Sequence, residues 1–235
     1  FCTNDRRDSG GTLKDDLAPL FAEADISITR RMGARLGWRA EHSTLLNKTV
    51  LAPRLGLGYR IHEGGQINLA YGVFYQKPEN IFLFQNAALG FTRATHYIIN
   101  YQRKWGNRFL RVEAFYKQYK DLVTTLPYTS NEGDGDAKGI ELFWRDKKTF
   151  KDFDYWITYS YLDTKRKHLN YPYALQPQFA APHTASIAIK RFFPDLNFSA
   201  NLSYAIAAGR PYYDIQTGSD GHGAIHDRGT THLYN

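Results

Sequence analysis

The sequence predicts an all-β fold: an antiparallel up-and-down transmembrane β-barrel wall of about ten to eleven strands. Three observations carry this. Period-two alternation of apolar and polar residues recurs along the whole chain, while helical period is hard to find. The connections between the alternating stretches are by turns short and long. The apolar faces carry no charge.

GQINLAYGVFYQ (65–76) shows the pattern best: Ile67, Leu69, Tyr71, Val73 and Tyr75 alternate with Gln66, Asn68, Ala70 and Gly72. In chain order the predicted strands run near 17–29, 34–41, 51–62, 66–75, 94–104, 108–122, 138–146, 152–164, 183–192 and 197–207. Their apolar faces are Leu20 to Ile28, Ala34 to Ala40, Leu55 to Ile61, Ile67 to Tyr75 and Tyr97 to Tyr101. After these come Leu110 to Tyr116, Ile140 to Trp144, Phe153 to Tyr161, Ala185 to Ile189 and Phe198 to Ile206, each taken at every second residue. Not one of these positions is charged, although 23% of the chain is, and a lipid-facing wall requires that exclusion. The opposite faces hold Glu23, Asp25, Arg35, Arg39, Glu41, Arg54, Arg60, Arg103, Arg111, Glu113, Lys117, Glu141, Arg145, Asp154 and Lys190.

The connections 29–33, 62–65, 105–107, 147–152 and 193–197 are short. Between them fall longer ones at 42–50, 76–92, 124–137, 165–182 and 208–230. An up-and-down barrel explains this order, because short turns gather at one rim and long loops at the other. A soluble barrel with the apolar set inside is the competing arrangement. Two features oppose it: a barrel of ten or more strands is too wide for side chains to fill, and the aromatics sit toward the strand ends. Tyr59, Trp105, Trp144, Phe153, Tyr155 and Phe198 lie near short turns; Tyr75, Tyr97, Tyr116, Tyr159, Tyr161 and Tyr204 lie near long loops. Two membrane interfaces select two such girdles.

The chain has 235 residues, 43% of them hydrophobic and 15% aromatic, with a mean hydropathy of −0.51. No run of about twenty apolar residues makes a transmembrane helix. A net charge of +7 raises nucleic acid as a partner, but the basic residues are dispersed among acids, KRK (165–167) is the one compact block, and no recognition motif is present. The single cysteine, Cys2, excludes a disulfide framework and a cysteine zinc site. With neither an initiator Met nor a signal peptide, the sequence is expected to be an internal fragment, residues 1–235 belonging to one barrel domain.

LAPRLGLGYRI (51–61), LAYGVFYQKPE (69–79), RATHYIINYQ (93–102), RVEAFYKQYKDLV (111–123), AKGIELFWRDKKTF (137–150), FDYWITYSYLDTKR (153–166), FAAPHTASI (179–187) and GRPYY (209–213) closely resemble the C-terminal barrel half of TonB-dependent outer-membrane receptors. The flavour is that of Bacteroidetes receptors with a carboxypeptidase-like regulatory domain. The resemblance covers most of residues 15–235. It implies a barrel of about 22 strands in the bacterial outer membrane, plugged by an N-terminal domain of the same chain. It also implies active import of a ligand (ferric chelate, cobalamin, glycan or peptide) with energy passed by the TonB complex. Outer-membrane lipid, the plug and TonB are thus the expected partners. The plug and the final strands are expected to lie outside this sequence. A passive porin or an adhesin is the alternative, and a barrel enzyme a more distant one.

No cofactor and no catalytic residue is expected. Ser160 and Ser186 have no motif, and Glu113 with Glu141 is better explained by lumen ion pairing than by acid–base chemistry. His222 and His226 in HGAIH, with Asp220, Asp227 and His232 nearby, have ligand-like spacing but sit in a Gly-rich loop, so no metal is expected. Asp134 and Asp136 fall short of an EF-hand loop and are expected at a flexible tip. His96 and His183, at strand starts, suit hydrogen bonding at the rim. The long loops carry Phe82, Phe84, Phe91, Tyr128 and Phe179, and aromatic faces stack on ring-bearing ligands at low entropic cost. The ligand-binding residues expected are Tyr171, Tyr173, Tyr212, Tyr213 and Arg210, with Arg93 and Arg228 near the same rim to attract an anion. The alternative for these tyrosines is loop-to-loop packing.

Overall fold

The computed structural model describes residues 14–61, 64–217 and 223–231. Ten strands form one antiparallel sheet in strict sequence order. They are β1 (Leu17–Ser27), β2 (Met32–Ser43), β3 (Lys48–Arg60), β4 (Gly65–Gln76), β5 (Thr92–Trp105), β6 (Arg108–Thr124), β7 (Ser130–Asp146), β8 (Phe153–Arg166), β9 (His183–Phe193) and β10 (Phe198–Ala207). Each strand pairs with the next, and β1 and β10 are the two edges. The all-β up-and-down wall predicted from the alternation is therefore what the chain forms. A helix α1 (Asn80–Gln85) and a separate ribbon of β11 (Arg210–Thr217) and β12 (Gly223–Thr231) complete the described elements.

The pairing register carries the alternation from strand to strand. Ile26, Ala34, Leu57, Leu69, Ile99, Ala114, Ile140 and Tyr161 are successive cross-strand partners on β1 to β8. Directly opposed residues share a face, so this row is one unbroken apolar stripe. Nothing among the described residues covers it: Leu69 is 46% exposed, Ile99 49% and Ile140 49%. An apolar sheet face left this bare in an isolated protein faces lipid in a membrane.

Aromatics close the stripe at both ends. Toward the long loops Tyr71 lies 5.4 Å from Tyr97, and Tyr97 6.3 Å from Tyr116, between ring centres. Toward the short turns Trp105 packs on Trp144 at 5.5 Å and Phe193 on Phe198 at 6.0 Å. The turn between Trp105 and Arg108 needs two residues, and Gly106 takes φ 55° there, the conformation a tight hairpin demands.

The structure corrects four expectations. Arg103 lies on the lipid side, since it shares parity with Tyr97 and Tyr101 and is paired with Leu110; its guanidinium stacks 5.2 Å from Trp105. Arg191 does the same with Phe153 and Phe193, so the turn-side girdle holds two outward arginines whose heads reach the interface. The loop expected at 42–50 shrinks to residues 44–47, because pairing runs to Ser43 and Lys48. The flexible tip expected around Asp134 and Asp136 is strand: β7 starts at Ser130. The expected loop 208–230 contains β11 and β12, which puts 223–226 of HGAIH in a strand; His222, Asp220 and His232 lie outside the described residues.

Leu69→Arg in the full-length protein should cost about 2–4 kcal/mol in a lipid bilayer, because it places a cation near mid-membrane. Asn68→Arg should cost much less, since Asn68 faces the lumen. Equilibrium unfolding in phospholipid vesicles measures both, and equal losses would contradict the facing assigned here.

Candidate functional site

The inner face is ionic and amide-rich where the outer face is apolar. Across β4 and β5, Gln66 Nε2 donates to Asn68 Oδ1, and Asn68 Nδ2 donates to Asn100 Oδ1 at 2.7 Å. Gln102 Nε2 reaches Gln66 Oε1 at 3.5 Å. This ladder is the polar half of the alternation in 65–76. Ion pairs flank it: Arg35 with Asp25 at 2.7 Å and Glu23 at 3.3 Å, and Arg145 with Asp154 at 2.6 Å. Glu113 stands directly opposite Glu141, and Arg111 neutralises Glu113. Aromatic rings lie among these charges. Arg54 stacks on Phe74 at 5.0 Å, Lys117 on Phe115 at 4.8 Å and Arg145 on Trp156 at 5.5 Å.

The other candidates fall into structural roles. Ser186 Oγ shares a hydrogen bond of 2.6 Å with Thr158. His96 faces the lumen and packs 4.6 Å from Phe74. His183 opens β9 and shares a 2.9 Å hydrogen bond with the Tyr159 hydroxyl, the rim role expected of it.

The mouth is built by three packed segments. Among the described residues the main hydrophobic cluster lies here, not in the wall: Leu46, Leu83, Leu89, Phe91 and Val123, with Phe82 and Tyr75 against them. The turn 44–47, helix α1 and the end of β6 thus share one small core. Polar clamps lock it. Asn131 Oδ1 accepts from Gly90 N at 2.6 Å, and its Nδ2 donates to the Asp121 carbonyl at 2.8 Å. Asn86 Nδ2 donates to the Thr129 carbonyl at 2.7 Å. Asp15, just before β1, accepts from Lys77 Nζ at 2.7 Å, Ser43 Oγ at 2.8 Å and Leu45 N at 3.1 Å. The Lys77 ammonium holds the Asp15 carboxyl down at about 2, against burial, with help from the Leu45 and Ser43 donors.

A strap, residues 167–182, lies along the upper ends of β6 and β7. Leu169 N donates to the Val123 carbonyl at 2.7 Å, and Lys167 N to the Asp134 carbonyl at 2.8 Å. Gly133 makes this approach possible, because a Cβ there would run into the strap carbonyl of Lys167, and Gly135 lets β8 come equally close, because a Cβ there would run into the Lys165 carbonyl. Arg166 is held between Tyr119, 4.0 Å away, and Phe179, 5.6 Å away. Burial, then the Arg166 charge, pushes the His168 imidazole below its usual pKa.

The five expected ligand residues separate into two groups. Tyr171 is 7% exposed. It packs edge-on against His168 at 4.8 Å and Tyr213 at 6.2 Å, and its hydroxyl accepts from Gln178 N. Gln178 also donates to the Tyr213 carbonyl, which joins the strap to β11. Tyr173 and Tyr212 are 54% and 52% exposed, and Arg210 is exposed beside them in sequence. Phe91 is buried in the loop core, whereas Phe84, Tyr128 and Phe179 are exposed. Arg93 shares the outer face with Tyr97 and is not part of this surface; the Arg228 side chain lies outside the described residues. Sequence reasoning missed the Asp15 clip and the loop core, whose apolar residues (Leu83, Leu89, Phe91) follow no strand period.

A wall that is apolar outside, ionic inside, girdled by aromatics at two levels and crowned by packed loops belongs to a transmembrane β-barrel. The chain is a member of the TonB dependent receptor-like β-barrel family, whose profile matches residues 3–231, and it lies in the bacterial outer membrane. Solved structures share its fold. The outer membrane transporter YddB from Escherichia coli superimposes with a TM-score of 0.77 at 14% identity, over 94% of this chain and 38% of its own. The siderophore receptor PirA from Acinetobacter baumannii gives 0.73 at 13%, over 91% and 38%. The pyoverdine outer membrane receptor FpvA from Pseudomonas aeruginosa PAO1, solved with pyoverdine bound, gives 0.68 at 12%, over 90% and 34%. The chain thus spans little more than a third of these proteins. No curated protein sequence matches it.

The Asp15 clip makes the mouth acid-sensitive. Its folded pKa lies below the free value of 3.8, so its contribution is complete above that value and is lost as pH falls toward about 2. Hydrogen exchange of the Leu45 amide should lose protection over that window, once corrected for intrinsic rates. Asp15→Asn should lose about tenfold protection at neutral pH; wild-type protection in that variant would contradict the clip.

Proposed function

We propose that this chain forms wall and mouth of a receptor that actively imports a ligand across the outer membrane, energised by TonB through an N-terminal plug. Family membership is the observation that carries this reading. The inner face supports it: ion pairs and amide ladders suit a polar domain inside the barrel, and Glu141 faces the space that a plug fills. The family is one of receptors, and the reading is of a transporter and not an enzyme.

Within that reading, Tyr173, Tyr212 and Arg210 form an outer ligand-contact surface, and Tyr171 and Tyr213 hold it from beneath. Two exposed rings and a guanidinium offer stacking and an anion partner, the recognition expected for chelates, corrins or sugars bearing carboxylate or phosphate. The packed pair fixes the strap against β11 and so sets the spacing of the exposed pair.

Uptake of labelled ferric siderophores, cobalamin, oligosaccharides and peptides by cells with and without the full-length receptor tests both levels. Receptor-dependent uptake of one class should vanish with a protonophore; uptake that survives it would identify a passive porin. Tyr173→Ala with Tyr212→Ala should weaken binding of that ligand about tenfold, with heat-modifiable gel mobility unchanged. A folded variant with wild-type affinity would place the site deeper, on the plug.

A further inference from the structure

The outer face above the loop-side girdle holds a pair of cations that the fold itself does not explain. Arg93 on β5 and Lys120 on β6 are direct cross-strand partners. Each lies four residues beyond a girdle tyrosine of its own strand, Tyr97 and Tyr116, which are also partners. Four residues keep the same face and rise about 13 Å along the strand. The tyrosines mark the edge of the hydrocarbon, so the two cations stand in the headgroup layer of the outer leaflet.

Like charges set directly opposite destabilise a strand pair. On the loop-side ends of β7 and β8 the outward cations meet acids: Lys138 pairs with Asp163 at 3.3 Å, and Lys165 faces Asp136 across the strands. Arg93 and Lys120 make no ion pair among the described residues, and Arg93 Nε is buried with no hydrogen-bond partner there. An anion set between the two side chains removes the repulsion and satisfies that donor. Phosphate suits it, because a guanidinium and an ammonium together offer a fork and a point charge to its oxygens.

We propose that Arg93 and Lys120 form a site for the phosphate group of an outer-leaflet glycolipid, whose acyl chains lie on the apolar stripe below Tyr97 and Tyr116. The lipid fixes the depth of the barrel and steadies the β5–β6 hairpin. This assignment requires only that the chain lies in the outer membrane, and it is independent of the imported ligand.

Purified full-length receptor in detergent, titrated with bisphosphorylated lipid A and separately with chemically dephosphorylated lipid A, tests it by native mass spectrometry. Wild type should prefer the phosphorylated lipid by on the order of tenfold. Arg93→Gln with Lys120→Gln should bind both lipids alike, whereas Lys138→Gln, whose charge is already paired, should keep the preference. Lys120→Gln alone, at an exposed position, should lose part of it and serves if the double variant does not fold. Equal binding of the two lipids by wild type, or an undiminished preference in the folded variants, would overturn the site. So would full competition by inorganic phosphate at concentrations matching the lipid, because a free-anion site needs no membrane.

Discussion

Hydrocarbon offers a backbone N–H or C=O no partner, and that single constraint organises this chain. Each strand crossing the membrane must hand its hydrogen bonds to a neighbour along its whole length. The strict succession from β1 to β10 does this by pairing each strand with its neighbour in sequence. Once the register is fixed, parity decides which side chains meet lipid. The stripe from Ile26 to Tyr161 and the inner row of Asn68, Asn100, Glu113 and Glu141 are two consequences of one pairing. A slip of one residue would exchange them and put carboxylates in hydrocarbon.

The same constraint explains why the packed core lies outside the bilayer. A barrel wall is one layer thick, so its side chains have lipid on one side and the lumen on the other. Conventional packing becomes possible where strands leave the membrane and loops can fold back. There the chain behaves like an ordinary small domain: Leu83, Leu89 and Phe91 cluster, Asn131 and Asp15 satisfy backbone and side-chain donors, and Arg166 is held between two rings. The mouth is therefore a built surface, and residues such as Tyr173 and Tyr212 project from a fixed platform.

How much the sequence disclosed follows from the same physics. Alternation is a local signal, and it located all ten strands of the wall and the lipid side of nearly every one. Charge alone puts Arg103 in the lumen, whereas its parity with Tyr101 points it outward, and Trp105 shows why an interface tolerates it. The glycines and acids of 131–136 resemble a loop, yet Gly133 is there because the strap passes over it and Gly135 because β8 comes close, which no local pattern can reveal. Helix α1 is too short to show a period. The division of the mouth tyrosines into a packed pair and an exposed pair depends on where 167–182 lies in space, and the sequence alone left both readings open.

The claim on which the rest stands is that the apolar face meets lipid and the polar face does not. Nitroxide labels placed singly at residues 66 to 75 of the full-length receptor in phospholipid vesicles test it by collision with oxygen and with a water-soluble nickel chelate. The structure predicts period-two alternation, with high oxygen and low nickel accessibility at Ile67, Leu69 and Tyr71 and the reverse tendency at Gln66, Asn68 and Ala70. Alternation of the opposite phase, or none, would contradict it.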